Sequence, residues 1–174
     1  MKLYYGDPGG FSYHQKPPLV FTNGCFDIIH AGHIHLLCQA SKYGNLLVGI
    51  NGDESVSKLK PGRPINELDA RMTVLSSIRY VWDVKPFDEE TPERLIHELR
   101  PDVLIKGSDW KLKDIVGAEF VKSYGGKVVR VDLLPGFSTT EILSKSASHA
   151  PEMSSSYSTE EYPPNTKTPV KGEN

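Results

Sequence analysis

The tetrapeptide His30-Ala31-Gly32-His33 follows closely on Thr22-Asn23-Gly24-Cys25-Phe26-Asp27. An apolar strand pattern runs into the first segment, and a helical pattern begins after the second. A glycine-containing turn that opens a helix is a ready anion site, because free N–H groups and the helix dipole both favour negative charge. Two imidazoles placed there can donate hydrogen bonds to phosphate oxygens. Gly32 between them leaves room for a nucleotide to approach the backbone. Metal binding is the other chemistry that His30, His33 and His35 suggest. His33 and His35 lie two apart, so on one helix they point different ways. Only Cys38 or Asp27 stands near as a fourth ligand, so a closed zinc set is not expected.

Three more segments carry clustered polar groups. Lys58 and Lys60, in Ser55-Val56-Ser57-Lys58-Leu59-Lys60-Pro61, read on their own as a solvated charged loop. Arg71 opens a predicted helix and has three candidate partners: phosphate, Glu67 and Asp69. Ser138-Thr139-Thr140 precede the last predicted helix. Such a cluster is an N-cap signal, and capping and anion binding use the same unpaired donors.

The elements that position these residues alternate. Strands are predicted at Leu19–Thr22, Leu46–Asn51, Tyr80–Val84, Val103–Lys106 and Val128–Val131. They are rich in Val, Ile and Leu with few polar interruptions, as befits strands buried on both faces. Helical spacing fills the gaps: Ile34, Leu37 and Cys38; then Val74, Leu75 and Ile78. Thr91 is a predicted N-cap with Pro92 at the first helical position. A helix is predicted over Lys113–Ser123. The series implies an α/β fold, a doubly wound five-stranded parallel sheet with helices on both faces. Ligands of such folds bind beyond the carboxyl ends of the strands, where strand order reverses.

Composition narrows the function classes. The 174 residues carry 20 basic and 22 acidic side chains, a formal net charge of -2. Removing the polar segment from Ala147 leaves eighteen of each sign, so no field is expected that would steer nucleic acid. No apolar run approaches the roughly 18 residues needed to cross a bilayer. The first ten residues have no signal-peptide character. With only Cys25 and Cys38, neither in a CxxC pair, a reducing cytoplasmic location is expected. Residues 1–17 read as irregular, 18–146 as the domain, and 147–174 as a disordered polar tail lacking Leu, Ile and Phe.

The segments in order carry a resemblance. TNGCFD followed by HAGH is similar to the HxGH nucleotidyltransferase superfamily. So are Gly62-Arg63-Pro64-Ile65-Asn66 with Arg71, Phe87 to Arg94, Arg100 to Trp110, and Pro135 to Thr140. Together they look most like the adenylyltransferase domain of ADP-heptose synthases, over about Pro18 to Ser144. The resemblance implies a Rossmann-like fold and transfer of AMP from ATP to a sugar 1-phosphate, with release of pyrophosphate. For synthases of that kind the resemblance implies D-glycero-β-D-manno-heptose 1-phosphate as acceptor and a precursor of lipopolysaccharide core as product. Mg2+ accompanies the ATP, and no protein metal site is implied beyond a role near Asp109.

Residue by residue, the resemblance implies catalytic contacts from His30, His33, Lys58 and Lys60 to the phosphates. It implies nucleotide binding by Thr22, Asn23, Gly24, Phe26, Asp27, Gly32, Arg71, Lys106, Gly107, Asp109, Ser138, Thr139 and Thr140. Asp27 is expected to orient its loop or to contact the acceptor. Cytidylyltransferases share HxGH, but they carry an Arg-Thr pair where this chain has Leu133-Leu134. A non-catalytic nucleotide-binding module is the alternative of another class. A separate sugar kinase is the implied upstream partner, and a homodimer is one option.

Overall fold

The computed structural model describes residues 16–148. Five strands form one parallel sheet: β1 Leu19–Gly24, β2 Asn45–Asn51, β3 Asp83–Phe87, β4 Val103–Gly107 and β5 Lys127–Val131, in the order β3-β2-β1-β4-β5. The order reverses between β1 and β4, so the switch point lies where the two candidate motifs leave the sheet. The helices are α1 Ala31–Ser41, α2 Asp53–Leu59, α3 Leu68–Ser76, α4 Glu93–Leu99, α5 Ala118–Ser123 and α6 Thr139–Ser148.

Strand alternation sends side chains to two cores, as the pleat requires. Val20, Leu46, Val48, Ile50, Val103 and Ile105 pack with Leu37 and Ala40 of α1 and Leu75 of α3 on one face. Phe21, Leu47 and Leu104 pack with Leu95 and Ile96 of α4 and Ala118 and Val121 of α5 on the other. Phe21 stands opposite Leu47 and Leu104 in register, at the centre of the second core. Gly49 of β2 makes room for it, since a Cβ there would lie 2.7 Å from the tip of the Phe21 ring.

Several elements depart from the sequence expectation. β3 begins three residues later than predicted. Ile78, Tyr80 and Val81 pack against the core from turns instead. Pro86 is tolerated because β3 is an edge strand, where a missing N–H does not break a ladder. The predicted helix over Lys113–Ser123 splits into a 3-10 turn at Leu112–Asp114 and α5. Gly117, at φ +80°, separates them. Pro92 rather than Thr91 precedes α4, and no side chain caps that helix. Helix α2 was not expected at all, because its sequence lacks an apolar period. Only Ser55 and Val56 are buried along it. α6 extends to Ser148, two residues into the segment expected to be disordered. The remaining expectations for residues 1–15 and 149–174 lie outside the described residues.

Candidate active site

β1 ends in Thr22, Asn23 and Gly24, and the chain turns sharply at Phe26, whose φ of +46° is rare for a residue with a side chain. The turn is held from several directions. The Asp27 carboxylate accepts hydrogen bonds from the Ile65 N–H (2.9 Å to Oδ1) and the Asn66 N–H (2.9 Å). The Asn66 amide returns one to the Asp27 carbonyl at 2.7 Å. Asp27 therefore orients the loop, one of its two expected roles. Helix α1 then starts with His30 at its N-cap position, with no side-chain cap and no acidic residue in its first turn. Its first N–H groups are left for another acceptor.

His30 and His33 stack, with ring centroids 3.8 Å apart. Phe26 flanks His33 at 5.1 Å. Burial pushes His33 down to about 4, helped by the nearby His30 and Lys60, while a hydrogen bond to the Ile28 backbone opposes the shift. Burial lowers His30 as well. Both shifts favour the neutral imidazole at pH 7. Among the described residues, four buried side-chain polar atoms lack a partner: Thr22 Oγ1, Asn23 Oδ1, His30 Nδ1 and His33 Nδ1. All four belong to the end of β1 or the start of α1. Unpaired buried polar atoms cost about 1–3 kcal/mol each, so their concentration in one place marks a site for a polar ligand.

A cleft of about 460 Å³ opens at the carboxyl ends of the strands over Thr22, Asn23 and His33, whereas His30, stacked behind His33, lies outside its lining. Thr22, Asn23, Gly24, Phe26, Asp27, His33, Lys60, Lys106, Gly107, Asp109 and Thr139 line it, all singled out from sequence. Lys106 is largely buried, and its ammonium group donates to the Asn23 carbonyl at 3.3 Å and faces the Trp110 ring at 5.3 Å. Burial lowers it to about 8, against the pull of Asp109 and Cys25.

Other expected site residues have different positions. Lys58 is exposed at the end of α2 and does not line the cleft, whereas Lys60 does. Arg71 is 1% exposed and lies outside the lining. It pairs with Asp53 at 2.7 Å, not with Glu67 or Asp69. Gly32 lies outside the lining, and the side of it that a side chain would take is filled. A Cβ there would meet the His30 ring at 3.0 Å and Phe137 at 3.3 Å. Ser138 caps α6, accepting from the Glu141 N–H at 3.1 Å. Thr140 is exposed and outside the lining. Asn51, Leu59, Arg63, Glu90 and Thr91 line the cleft without a binding role assigned from sequence. Arg63, Glu90 and Thr91 fall inside segments that carry the resemblance, but nothing in their spacing marks them as ligands.

Gly32→Ala has a specific expected outcome. Alanine favours the helix by about 1 kcal/mol over glycine, while its methyl group displaces the His30 ring. Thermal stability should hold or rise as turnover falls at least tenfold. Paired melting and kinetic measurements check this, and full activity would mean that the ring position is unimportant.

Comparison with known proteins fits this geometry. Residues 21–160 match the cytidylyltransferase-like family. The chain belongs to that family. It is accordingly a nucleotidyltransferase, and the matched residues include the turn from Phe26 to His33. The chain is 53% identical over 133 residues to the bifunctional protein HldE of Alcanivorax borkumensis, covering 75% of this chain and 28% of that protein. Identity to the bifunctional protein HldE of Pseudomonas aeruginosa is 53% over 129 residues, 73% of this chain and 27% of that one. The chain thus spans little more than a quarter of the length of these curated relatives. A solved lipopolysaccharide core biosynthesis protein from Thermoplasma volcanium is similar at a TM-score of 0.54 and 27% identity, over 67% of this chain and 96% of its own. Among the described residues, no group of three or more His, Cys, Asp or Glu side chains is arranged to hold a metal ion. Cys25 and Cys38 are free thiols. No described helix is long and apolar enough to cross a membrane.

Proposed function

We propose that this cytidylyltransferase-like protein transfers AMP from MgATP to a sugar 1-phosphate, most specifically D-glycero-β-D-manno-heptose 1-phosphate, giving ADP-heptose and pyrophosphate. The carrying observation is the group of four unpartnered buried polar atoms at the β1/β4 switch point, three of them on residues that line the cleft. The likeness of the chain to HldE proteins over the segments quoted above supports the choice of heptose. Magnesium enters as part of the MgATP substrate. Asp109, the carboxylate on the β4 side of the cleft, fits a place beside it. A homodimer, a cytoplasmic location and supply of the 1-phosphate by a sugar kinase activity belong to the same reading.

In the proposed reaction an acceptor phosphate oxygen attacks the α-phosphorus in line. The bond from that phosphorus to the bridging oxygen breaks, and pyrophosphate leaves on the opposite side. The oxygen is already anionic at neutral pH, so no general base is required. The chain's work is alignment and charge stabilisation. The α1 N-terminus with His30 and His33 would hold the α- and β-phosphates. Lys60 and Lys106 add positive charge, and Thr139 adds a hydroxyl. The nucleotide would take the half of the cleft over β1 and β4.

Pyrophosphate release with MgATP and the β-anomer tests this, with the α-anomer and CTP as comparisons. Release with CTP alone, or with another acceptor alone, would overturn the substrate assignment. ATP binding without release from any pair would favour a non-catalytic module.

A pH dependence follows from Lys106. Its ammonium form is populated below about pH 8 in the free protein. Affinity for MgATP should therefore fall above about pH 8, approaching tenfold per unit where one proton is required. Lys106→Arg should move the bend beyond pH 10, since guanidinium stays charged. Calorimetric titration across pH 6.5–10 measures this; an unchanged bend in Lys106→Arg would assign it to another group.

A further inference from the structure

The cleft has a second half that the nucleotide reading leaves empty, over β2 and β3 on the far side of β1. Its wall is built. The Asn51 amide at the end of β2 donates to the Ser55 hydroxyl at 3.0 Å, and Ser55 donates to the Glu89 carbonyl at 3.2 Å. Asn51 is 4% and Ser55 2% exposed. This buried chain pins the β3–α4 loop, so that Glu90 and Thr91 face the cleft from a fixed position. Arg63 faces it from the loop that Asp27 anchors. Neither Arg63 nor Glu90 makes an ion pair among the described residues.

Resting on the nucleotidyltransferase reading above, we infer that this half is the acceptor subsite, in which Arg63 takes the phosphomonoester and Glu90 with Thr91 takes the hydroxyls of a phosphorylated polyol. Each part has a chemical reason. A guanidinium fork matches a phosphate bidentately. A carboxylate accepts from hydroxyl donors, and a threonine hydroxyl can both give and accept. A phosphorylated quaternary amine is the competing acceptor class that a carboxylate would attract. Recognition of such a cation uses aromatic faces, and the lining on this side is Leu59 and Pro92, with no aromatic ring. A polyol therefore fits better.

The test uses the full chain, with initial rates varied separately in MgATP and acceptor. Arg63→Gln and Glu90→Gln should each raise the KM for D-glycero-β-D-manno-heptose 1-phosphate about tenfold or more, the usual scale for a lost charged hydrogen bond. The KM for MgATP should stay within twofold, and melting temperatures should be unchanged. Equal rises in both KM values, or no rise in either, would overturn the subsite. Transfer to another phosphorylated polyol with the same dependence on Arg63 and Glu90 would keep the subsite and replace the heptose assignment. Transfer to phosphocholine instead would overturn it. If no acceptor turns over, calorimetry with the heptose 1-phosphate and a non-hydrolysable ATP analogue decides. Binding that is lost in Arg63→Gln supports the subsite while the transferase reading fails, and absence of binding overturns both.

Discussion

His33→Ala is expected to lower kcat by about 100- to 1,000-fold, the usual effect of deleting one preorganised donor to a developing negative charge. Nothing else in the fold depends on that ring's Nδ1, which is buried without a partner. The side chain instead costs the fold stability in acid. Its pKa lies at about 4 in the folded protein against 6.5 ordinarily. The unfolded chain therefore binds a proton more readily, and stability falls as pH drops from about 6.5 toward 4. The full penalty is on the order of 3 kcal/mol below that window. The variant should thus be less active at pH 7.5 yet lose less stability than the parent between pH 7 and pH 4. Urea midpoints at the two pH values, beside turnover at pH 7.5, give the readout. A variant that is destabilised at pH 7 and also slow would place His33 in the core rather than at the phosphates.

The sequence was legible where one physical rule decides. Val20, Leu46, Val48 and Ile105 lie in continuous apolar runs, and such runs with helical spacing between them leave little besides a doubly wound sheet. The switch-point rule then pointed to where the chemistry would lie, because Asn23 and Lys106 stand one residue from the ends of the two strands that flank it. Residues were harder to read where tertiary contacts override local pattern. Helix α2 carries its buried residues on one short turn and depends on contacts from Arg71 and the Asn51–Ser55 pair. Gly32 answers to His30 and Phe137, one of them a hundred residues away in sequence, and no spacing rule reports that. Glu90 and Thr91 reach the cleft only because Ser55 fixes their loop. Local signals name residue types, whereas the direction of a loop is set by bonds between distant segments.

Arg71 shows that difference in energetic form. From sequence it reads as a phosphate ligand as easily as an ion-pair partner. In the folded chain its Nε donates to the Asn66 carbonyl at 2.9 Å, its Nη1 to the Cys25 carbonyl at 2.6 Å, and its Nη2 to Asp53 at 2.7 Å. One guanidinium thus ties the HxGH approach, the start of α2 and the loop that Asp27 holds. Breaking a buried ion pair from one side costs about 3–5 kcal/mol. The Asp53 side chain is 43% exposed and can rehydrate, so Arg71→Met should cost near the lower end, about 3 kcal/mol. Arg71→Lys should recover little, because an ammonium cannot span three acceptors in a plane. Asp53→Asn combined with Arg71→Met should cost less than the two changes summed, as coupled partners do. The loss should change little between 0.05 and 0.5 M salt, since buried pairs are weakly screened. Denaturant unfolding of the parent and the four variants measures all of this. A ligand role predicts the opposite pattern: an unaltered midpoint, with a KM for MgATP that rises and depends on salt. That pattern would return Arg71 to the phosphates and leave the turn at Phe26 to be held by Asp27 alone.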